Sequence, residues 1–254
     1  FSERTDDGYK VYDFDANQFS PNTYDSVYQI TPDFLVLKSK NKFELLQIST
    51  TQTFKLDSKT QQVRGYNEGL ISVMMENEWG FVSEQGLLTI ANRYQQAKDF
   101  SQGLSAIRIN GNWGFINTDD QITIQPTFQF VESFKNGLST VKTNDLYGLI
   151  DLNGNFVLNA VYDQLIRKED FILLEKNKLF GIANHEGTLV RTPQFDSITT
   201  TDSINFIVSR NGKYGVVDIE GRDRVPVAFD VIKQSGDTFL AMERQGWIEL
   251  EINK

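Results

Sequence analysis

Short apolar and polar residues interleave along this chain in runs too brief and too interrupted for helices. Leu104–Ile109 alternates and stops at Asn110-Gly111, a two-residue hairpin signal, and Asn211-Gly212 repeats that signal ahead of Tyr214. A second run follows, as in Trp113–Asn117, and ends in a turn closed by glycine at Gly86, Gly154, Gly187 and Gly221. A third run comes next, such as Ile122–Ile124 or Thr188–Val190. Proline at its end, as at Pro126, cannot donate to a ladder and is expected to stop the pairing. The aromatic-Asp segment reads as a fourth short strand, as in Tyr162–Arg167, after which Asn136-Gly137 or a counterpart turns the chain into the next unit. Gly, Pro and β-branched residues break every window long enough for a helix. The pattern predicts an all-β protein of three to four short antiparallel strands per unit.

The units are tandem repeats. An aromatic-Gly pair recurs as Trp79-Gly80, Trp113-Gly114, Tyr147-Gly148, Phe180-Gly181 and Tyr214-Gly215, at intervals of 34, 34, 33 and 34 residues. Another 33 residues reach Trp247, followed by Ile248; backward steps of 36 and 34 reach Phe43-Glu44 and Tyr9-Lys10. A second aromatic stands 15 residues after most of these anchors, at Tyr24, Tyr94, Phe128, Tyr162, Phe195 and Phe229, and four of these precede Asp25, Asp163, Asp196 and Asp230. Pro21, Pro126, Pro193 and Pro226 lie just upstream of that second aromatic, and Gly69-Leu70, Gly103-Leu104 and Gly137-Leu138 lie ten residues before three anchors.

A Gly within a strand marks close approach by another group. The expectation is therefore that the ring of one unit packs over backbone bared by a neighbour. A three- or four-stranded unit cannot bury enough surface to fold alone, so stability comes from contacts between units and the end units are the degenerate ones.

The runs Asn112-Trp113-Gly114-Phe115-Ile116-Asn117 and Lys213-Tyr214-Gly215-Val216-Val217-Asp218, with Gly-Leu upstream and Phe/Tyr-Asp downstream, resemble the WG (KWG) repeat of bacterial proteins. The resemblance is specific over residues 66–235 and weak over 1–60, with Phe43, Tyr9 and Trp247 departing from it. It implies tandem β-units in one array over 1–254, degenerate over 1–65 and 236–254, and interaction roles rather than catalytic ones. Such repeats are frequent in exported or envelope proteins, which favours an extracytoplasmic setting and a membrane-associated complex. Two arrangements are open: a propeller-like ring of about seven blades, closed where the N-terminal segment around Gln18-Phe19-Ser20 supplies a strand to the last unit, or an open β-superhelix.

Composition narrows the chemistry. The 254 residues contain no cysteine and one histidine, which excludes disulfides, thiolate sites and a multi-histidine zinc site. A net charge of −9 repels phosphate backbones, and with no basic patch evident no nucleic-acid partner is expected. No apolar run is long enough for a transmembrane helix. The opening Phe1-Ser2-Glu3-Arg4 is neither an initiator methionine nor a signal peptide, so a trimmed chain is expected.

Candidate sites are few. His185 occupies a turn, Asp119-Asp120 replaces a turn glycine, and Asp151–Asn155 lacks the acidic ligands of a calcium loop. Glu76-Asn77-Glu78 and Glu249-Leu250-Glu251 read as solvated edges, Asp6-Asp7 and Arg222-Asp223-Arg224 as solvated turns, and Met74-Met75 as core filling or an adaptable contact. No catalytic residue, cofactor or metal is expected. The functional expectation is a non-catalytic scaffold binding a protein partner. A glycan-binding module is the alternative, requiring the repeated rings or carboxylates to face solvent; a carboxylate hydrolase is a distant third.

Overall fold

The computed structural model describes residues 2–13, 17–18, 22–200, 204–235, 238–243 and 246–250. Every regular element among them is a β-strand. The chain forms two units, residues 1–137 and 138–254.

The first unit opens with a hairpin, Ser2–Thr5 against Gly8–Val11. Three four-stranded antiparallel sheets follow, over residues 26–55, 60–94 and 96–128, and strand Phe130–Val131 comes last. The second unit holds strands Leu138–Thr143, Leu146–Asp151 and Phe156–Tyr162, four-stranded sheets over 164–195 and 197–229, and a three-stranded sheet over 231–250. Each complete sheet is a meander with its strands side by side in sequence order, the plan of a propeller blade. In the 96–128 sheet these are Gln96–Ala97, Leu104–Ile109, Asn112–Asn117 and Ile122–Phe128.

The hairpins form where the sequence places them. Asn110 and Gly111 have φ of 48° and 82°, and Asn211 and Gly212 of 54° and 72°. Positive φ at both central residues is the type I′ geometry whose twist matches the flanking strands.

Two strand assignments differ from the expectation. The aromatic-Asp segment is the first strand of the sheet that follows, not the last of its own: Gln164–Arg167 pairs with Phe171–Lys176. Pro126 does not end the third run. It sits inside Ile122–Phe128, which continues to Phe128 opposite Trp113, and the register shifts between Phe115–Ile124 and Trp113–Phe128. A residue without an N–H fits this bulge because no ladder bond is demanded there.

The bulge accounts for the glycine. A Cβ added to Gly114 would lie 2.5 Å from the Ile124 carbonyl oxygen and 2.6 Å from the Pro126 nitrogen. Gly80, Gly148, Gly181 and Gly215 face the same obstruction from Ile90, Leu158, Arg191 and Val225. The bared backbone is thus covered by the fourth strand of its own sheet, not by a neighbour's ring. The 26–55 sheet is the control within the molecule: Gln52–Lys55 pairs without any register shift, and Glu44 stands where the glycine would be.

Within each unit, side chains on the sheet faces join successive sheets. Trp79 and Tyr94 share a core with Ala97, Phe100, Ile107 and Ile116 of the 96–128 sheet and its loop. Ring pairs that cross between sheets include Phe34–Tyr66 at 5.3 Å, Phe81–Phe100 at 4.9 Å, Phe115–Phe134 at 4.8 Å and Phe171–Phe206 at 4.8 Å. Phe81, Phe100 and Phe206 are fully buried, each worth roughly 2–3 kcal/mol of burial. Met75 joins the core against the 26–55 sheet and Met74 packs against the opposite one, so both fill core.

Candidate functional site

The repeated carboxylates are turn clamps. Asp25, Asp163 and Asp196 each open a sheet and accept the backbone N–H of a residue in that sheet's next hairpin: Lys40, Asn177 at 2.6 Å and Asn211 at 2.6 Å. Asp230 instead takes the Lys213 ammonium at 2.5 Å. Asp151 accepts the N–H groups of Asn153 and Asn155 at 2.9 and 2.8 Å, so its carboxyl closes a turn. Burial raises that carboxyl, but these donors and the Asn155 amide outweigh burial and hold it below the usual range. His185 is an exposed turn residue 3.5 Å from Glu186.

Two groups are more structured than the sequence suggests. Asp120, with φ of 64°, accepts hydrogen bonds from the Tyr94 hydroxyl and from Arg93 of the preceding sheet, tying its turn to that sheet. Arg222 and Asp223 are exposed, as expected of a solvated turn, yet each is paired: Arg222 donates to the buried Asp218 at 2.7 Å, with Arg224 3.7 Å from it, and Asp223 pairs with Arg191 of the neighbouring sheet at 2.8 Å. Glu76 is exposed and pairs with Lys59 at 2.8 Å. Among the described residues no cluster of His, Asp and Glu could hold a metal ion.

The anchor rings are not offered to solvent as a set. Trp79 is 4% exposed, and the Arg64 guanidinium lies 3.8 Å from its ring centroid while donating to the Ala97 carbonyl at 2.8 Å. Lys98 holds the corresponding place near Trp113, 5.7 Å from the ring, and donates to Val131 at 2.8 Å. Lys142 lies 5.4 Å from the Tyr147 ring. Trp113, Tyr147, Phe180 and Tyr214 are half-buried, and Tyr214 packs against a core containing Phe239 and Ala241 of the next sheet. Trp247 lies in strand Gly246–Leu250, but its side chain is outside the described residues, as are that of Glu249 and all of Phe14, Phe19, Ser20, Pro21 and Glu251. The glycan reading needed free rings or carboxylates at every repeat, and the carboxylates are engaged in turns.

Two surfaces remain. One is apolar. The fourth strand opens on an exposed apolar residue in four sheets, at Leu88, Ile122, Phe156 and Leu189, by 56, 42, 42 and 39%, and on Gln52 and Asp223 in two others. The other is a cleft of about 660 Å³ beside the 26–55 sheet. Tyr24, Leu37, Phe43 and Leu56 line it together with Lys42, Glu44 and Lys55. A smaller cleft of about 340 Å³ takes the corresponding place in the second unit, between Val161-Tyr162 and the hairpin and fourth strand of the 164–195 sheet. The cleft beside 26–55 was not foreseen, although its charge was readable. Residues 38–64 contain six lysines and arginines against two acids, a local basic stretch hidden by the net charge of −9.

Residues 79–113, 113–147 and 147–179 match the WG containing repeat family in three tandem copies. No curated protein matches the chain. Solved structures similar to it include the eukaryotic initiation factor, at 11% identity and TM-score 0.49, covering 94% of this chain and 77% of that one. Kluyveromyces lactis Hsv2p is similar at 13% identity and TM-score 0.42, covering 89% and 96% of the two chains. The AfRom2 CNH domain is similar at 10% identity and TM-score 0.37, covering 87% and 91%.

Proposed function

We propose that this carrier of tandem WG repeats is a non-catalytic scaffold that binds a protein partner, as an accessory subunit of a complex at a bacterial cell envelope. The observation that carries the reading is the recurrence of an exposed apolar residue at one repeat position, Leu88, Ile122, Phe156 and Leu189. These side chains begin the fourth strand, the edge of each meander. An apolar residue at the same exposed position in successive repeats is what a partner-binding edge requires, since solvated edges are ordinarily kept polar or charged. The repeated rings and carboxylates are spent on packing and turns, which leaves no repeated set of groups for acid–base chemistry. The envelope assignment follows the WG resemblance.

The test is quantitative native purification of the tagged chain beside a variant carrying Leu88→Ser, Ile122→Ser, Phe156→Ser and Leu189→Ser. A protein that accompanies the wild type in fixed stoichiometry and is lost from the equally folded variant is the expected result. Absence of any stoichiometric partner, or its retention by the variant, overturns the reading.

A further inference from the structure

The chain contains four Asn-Gly pairs, Asn110-Gly111, Asn136-Gly137, Asn153-Gly154 and Asn211-Gly212. Asn-Gly is the dipeptide most prone to lose ammonia from its side chain, because glycine has no Cβ to hinder attack by its backbone nitrogen on the preceding carboxamide. All four pairs lie between strands, with the glycine at positive φ. What separates them is the partner of the glycine N–H.

Three of the four N–H groups are occupied. Gly111 donates to the Gln95 side-chain carbonyl at 2.8 Å, Gly137 to that of Gln102 at 2.9 Å, and Gly154 to the Asp151 backbone carbonyl at 3.0 Å. The Gly212 N–H has no acceptor among the described residues, and both Asn211 and Gly212 are exposed. Asn110-Gly111 and Asn211-Gly212 are otherwise the same turn, with φ of 48° and 82° against 54° and 72°. The cause of the difference is one methylene group. Gln95 and Asp196 each follow the second aromatic of a repeat, Tyr94 and Phe195, and each reaches the hairpin that comes next. The shorter Asp196 stops at the Asn211 N–H, at 2.6 Å, while the longer Gln95 takes the Gly111 N–H one residue further on. An aspartate clamp therefore fixes the turn and leaves the nucleophilic nitrogen unguarded.

We propose that Asn211 is a site of spontaneous deamidation, and the Asn-Gly position that reacts first in the folded chain. The Gly212 nitrogen bonds to the Asn211 side-chain carbonyl carbon, the carboxamide C–N bond breaks, and the proton lost by Gly212 travels through water to the departing ammonia. The product is a five-membered succinimide. Water then opens the ring at either carbonyl, giving aspartate or isoaspartate, with no oxidant or metal required. At the other three sites the glycine N–H must first leave its acceptor, and a hydrogen bond of ordinary strength slows the step by roughly fivefold. Either product places a carboxylate at position 211, beside the carboxylate of Asp196, and the two repel. Isoaspartate also lengthens the backbone of a two-residue turn by one carbon. The modification thus loosens the clamp between Asp196 and the hairpin joining Asn205–Arg210 to Lys213–Asp218.

The experiment is incubation of the full, folded chain in mildly alkaline buffer, with peptide mass spectrometry following all four Asn-Gly sites over time. Asn211 should deamidate about fivefold faster than Asn110, Asn136 and Asn153. In urea, where no acceptor is held in place, the four rates should draw together. Gln95→Ala frees the Gly111 N–H and should raise the rate at Asn110 toward that of Asn211. The same substitution should leave Asn153 unchanged, which separates loss of one hydrogen bond from general loosening of the chain. Asn211 reacting no faster than Asn110 in the folded chain would overturn the proposal. So would an unchanged rate at Asn110 in Gln95→Ala, an equal rise at Asn153, or the same spread of rates in urea.

Discussion

Trp113 and Phe128 are fifteen residues apart in sequence and directly opposite each other on adjacent strands. The same relation joins Trp79 to Tyr94, Tyr147 to Tyr162, Phe180 to Phe195 and Tyr214 to Phe229. It survives in the degraded first unit, where Tyr9 and Tyr24 exchange backbone hydrogen bonds of 2.7 and 2.9 Å. Phe43 reaches its opposite residue, Leu56, in thirteen. The two additional residues of the regular sheets form the bulge, the bulge presses on the third strand, and the glycine after the anchor makes room for it.

That chain of cause gives a paired prediction. Gly114→Ala should destabilise the protein by about 1–3 kcal/mol, because its methyl group would enter the space of the Ile124 carbonyl and the Pro126 nitrogen. Glu44→Ala, at the equivalent position of the unbulged sheet, should change stability by no more than about 0.5 kcal/mol. Urea unfolding midpoints check both. Equal losses would mean that the bulge is not the reason for the glycine.

The rings that hold sheets together should be ranked by burial rather than by the repeat motif. Phe100 is 1% exposed and its ring meets Phe81 at 4.9 Å across the sheet interface, so Phe100→Ala should cost about 3–5 kcal/mol. Trp113 is half-buried, and Trp113→Ala should cost less. Thermal unfolding of the two variants gives the order directly; a larger loss at Trp113 would restore the anchor ring as the principal adhesive.

The period was legible because each repeat must present the same residue types at the same places to stack on its neighbours. Asn110-Gly111 and Asn211-Gly212 were legible because few other pairs accept positive φ twice. Phe100 escaped notice because it lies in a loop, between Gln96–Ala97 and Leu104–Ile109, where no strand periodicity marks it. The owner of the aromatic-Asp strand was not legible either, since hydrogen bonding to one sheet or the next leaves the same pattern in the sequence. The bulge was encoded in the fifteen-residue spacing, but only the pairing register separates a bulge from a longer turn. The cleft depends on how Tyr24 sits beside the 26–55 sheet, which no periodicity in the sequence records.

Tyr66 should titrate late. Its hydrogen bond to Glu84 is the largest influence, with burial next, and together they push its phenol up to about 12. A folded pKa above the unfolded value of about 10 contributes stability that is complete below pH 10 and is lost as pH rises through the folded value. Spectrophotometric titration of Tyr66→Phe should lose one phenol from the end of the curve. Glu84→Gln should move that phenol downward without removing it. A curve for Tyr66→Phe that loses an early-ionising phenol would contradict the assignment.

Asp218 provides the acid counterpart. Its side chain is 3% exposed, and burial alone would raise the carboxyl. The backbone N–H and guanidinium of Arg222, with Arg224 beyond, outweigh burial and hold it below the ordinary aspartate range. A depressed folded pKa contributes stability that is complete above the unfolded value of about 3.9 and is lost as pH falls through the folded one. Asp218→Asn keeps the shape of the turn but not the charge, and hydrogen bonds to a charged group are worth about 1.5–3 kcal/mol. The variant should therefore be less stable than the wild type by an amount that is constant from pH 7 to about pH 5. That difference should shrink as the wild-type carboxyl takes up its proton in stronger acid. Denaturant unfolding across this range measures it. A gap that persists unchanged down to pH 2 would show that the charge on Asp218 is not what secures the turn to Arg222 and Arg224.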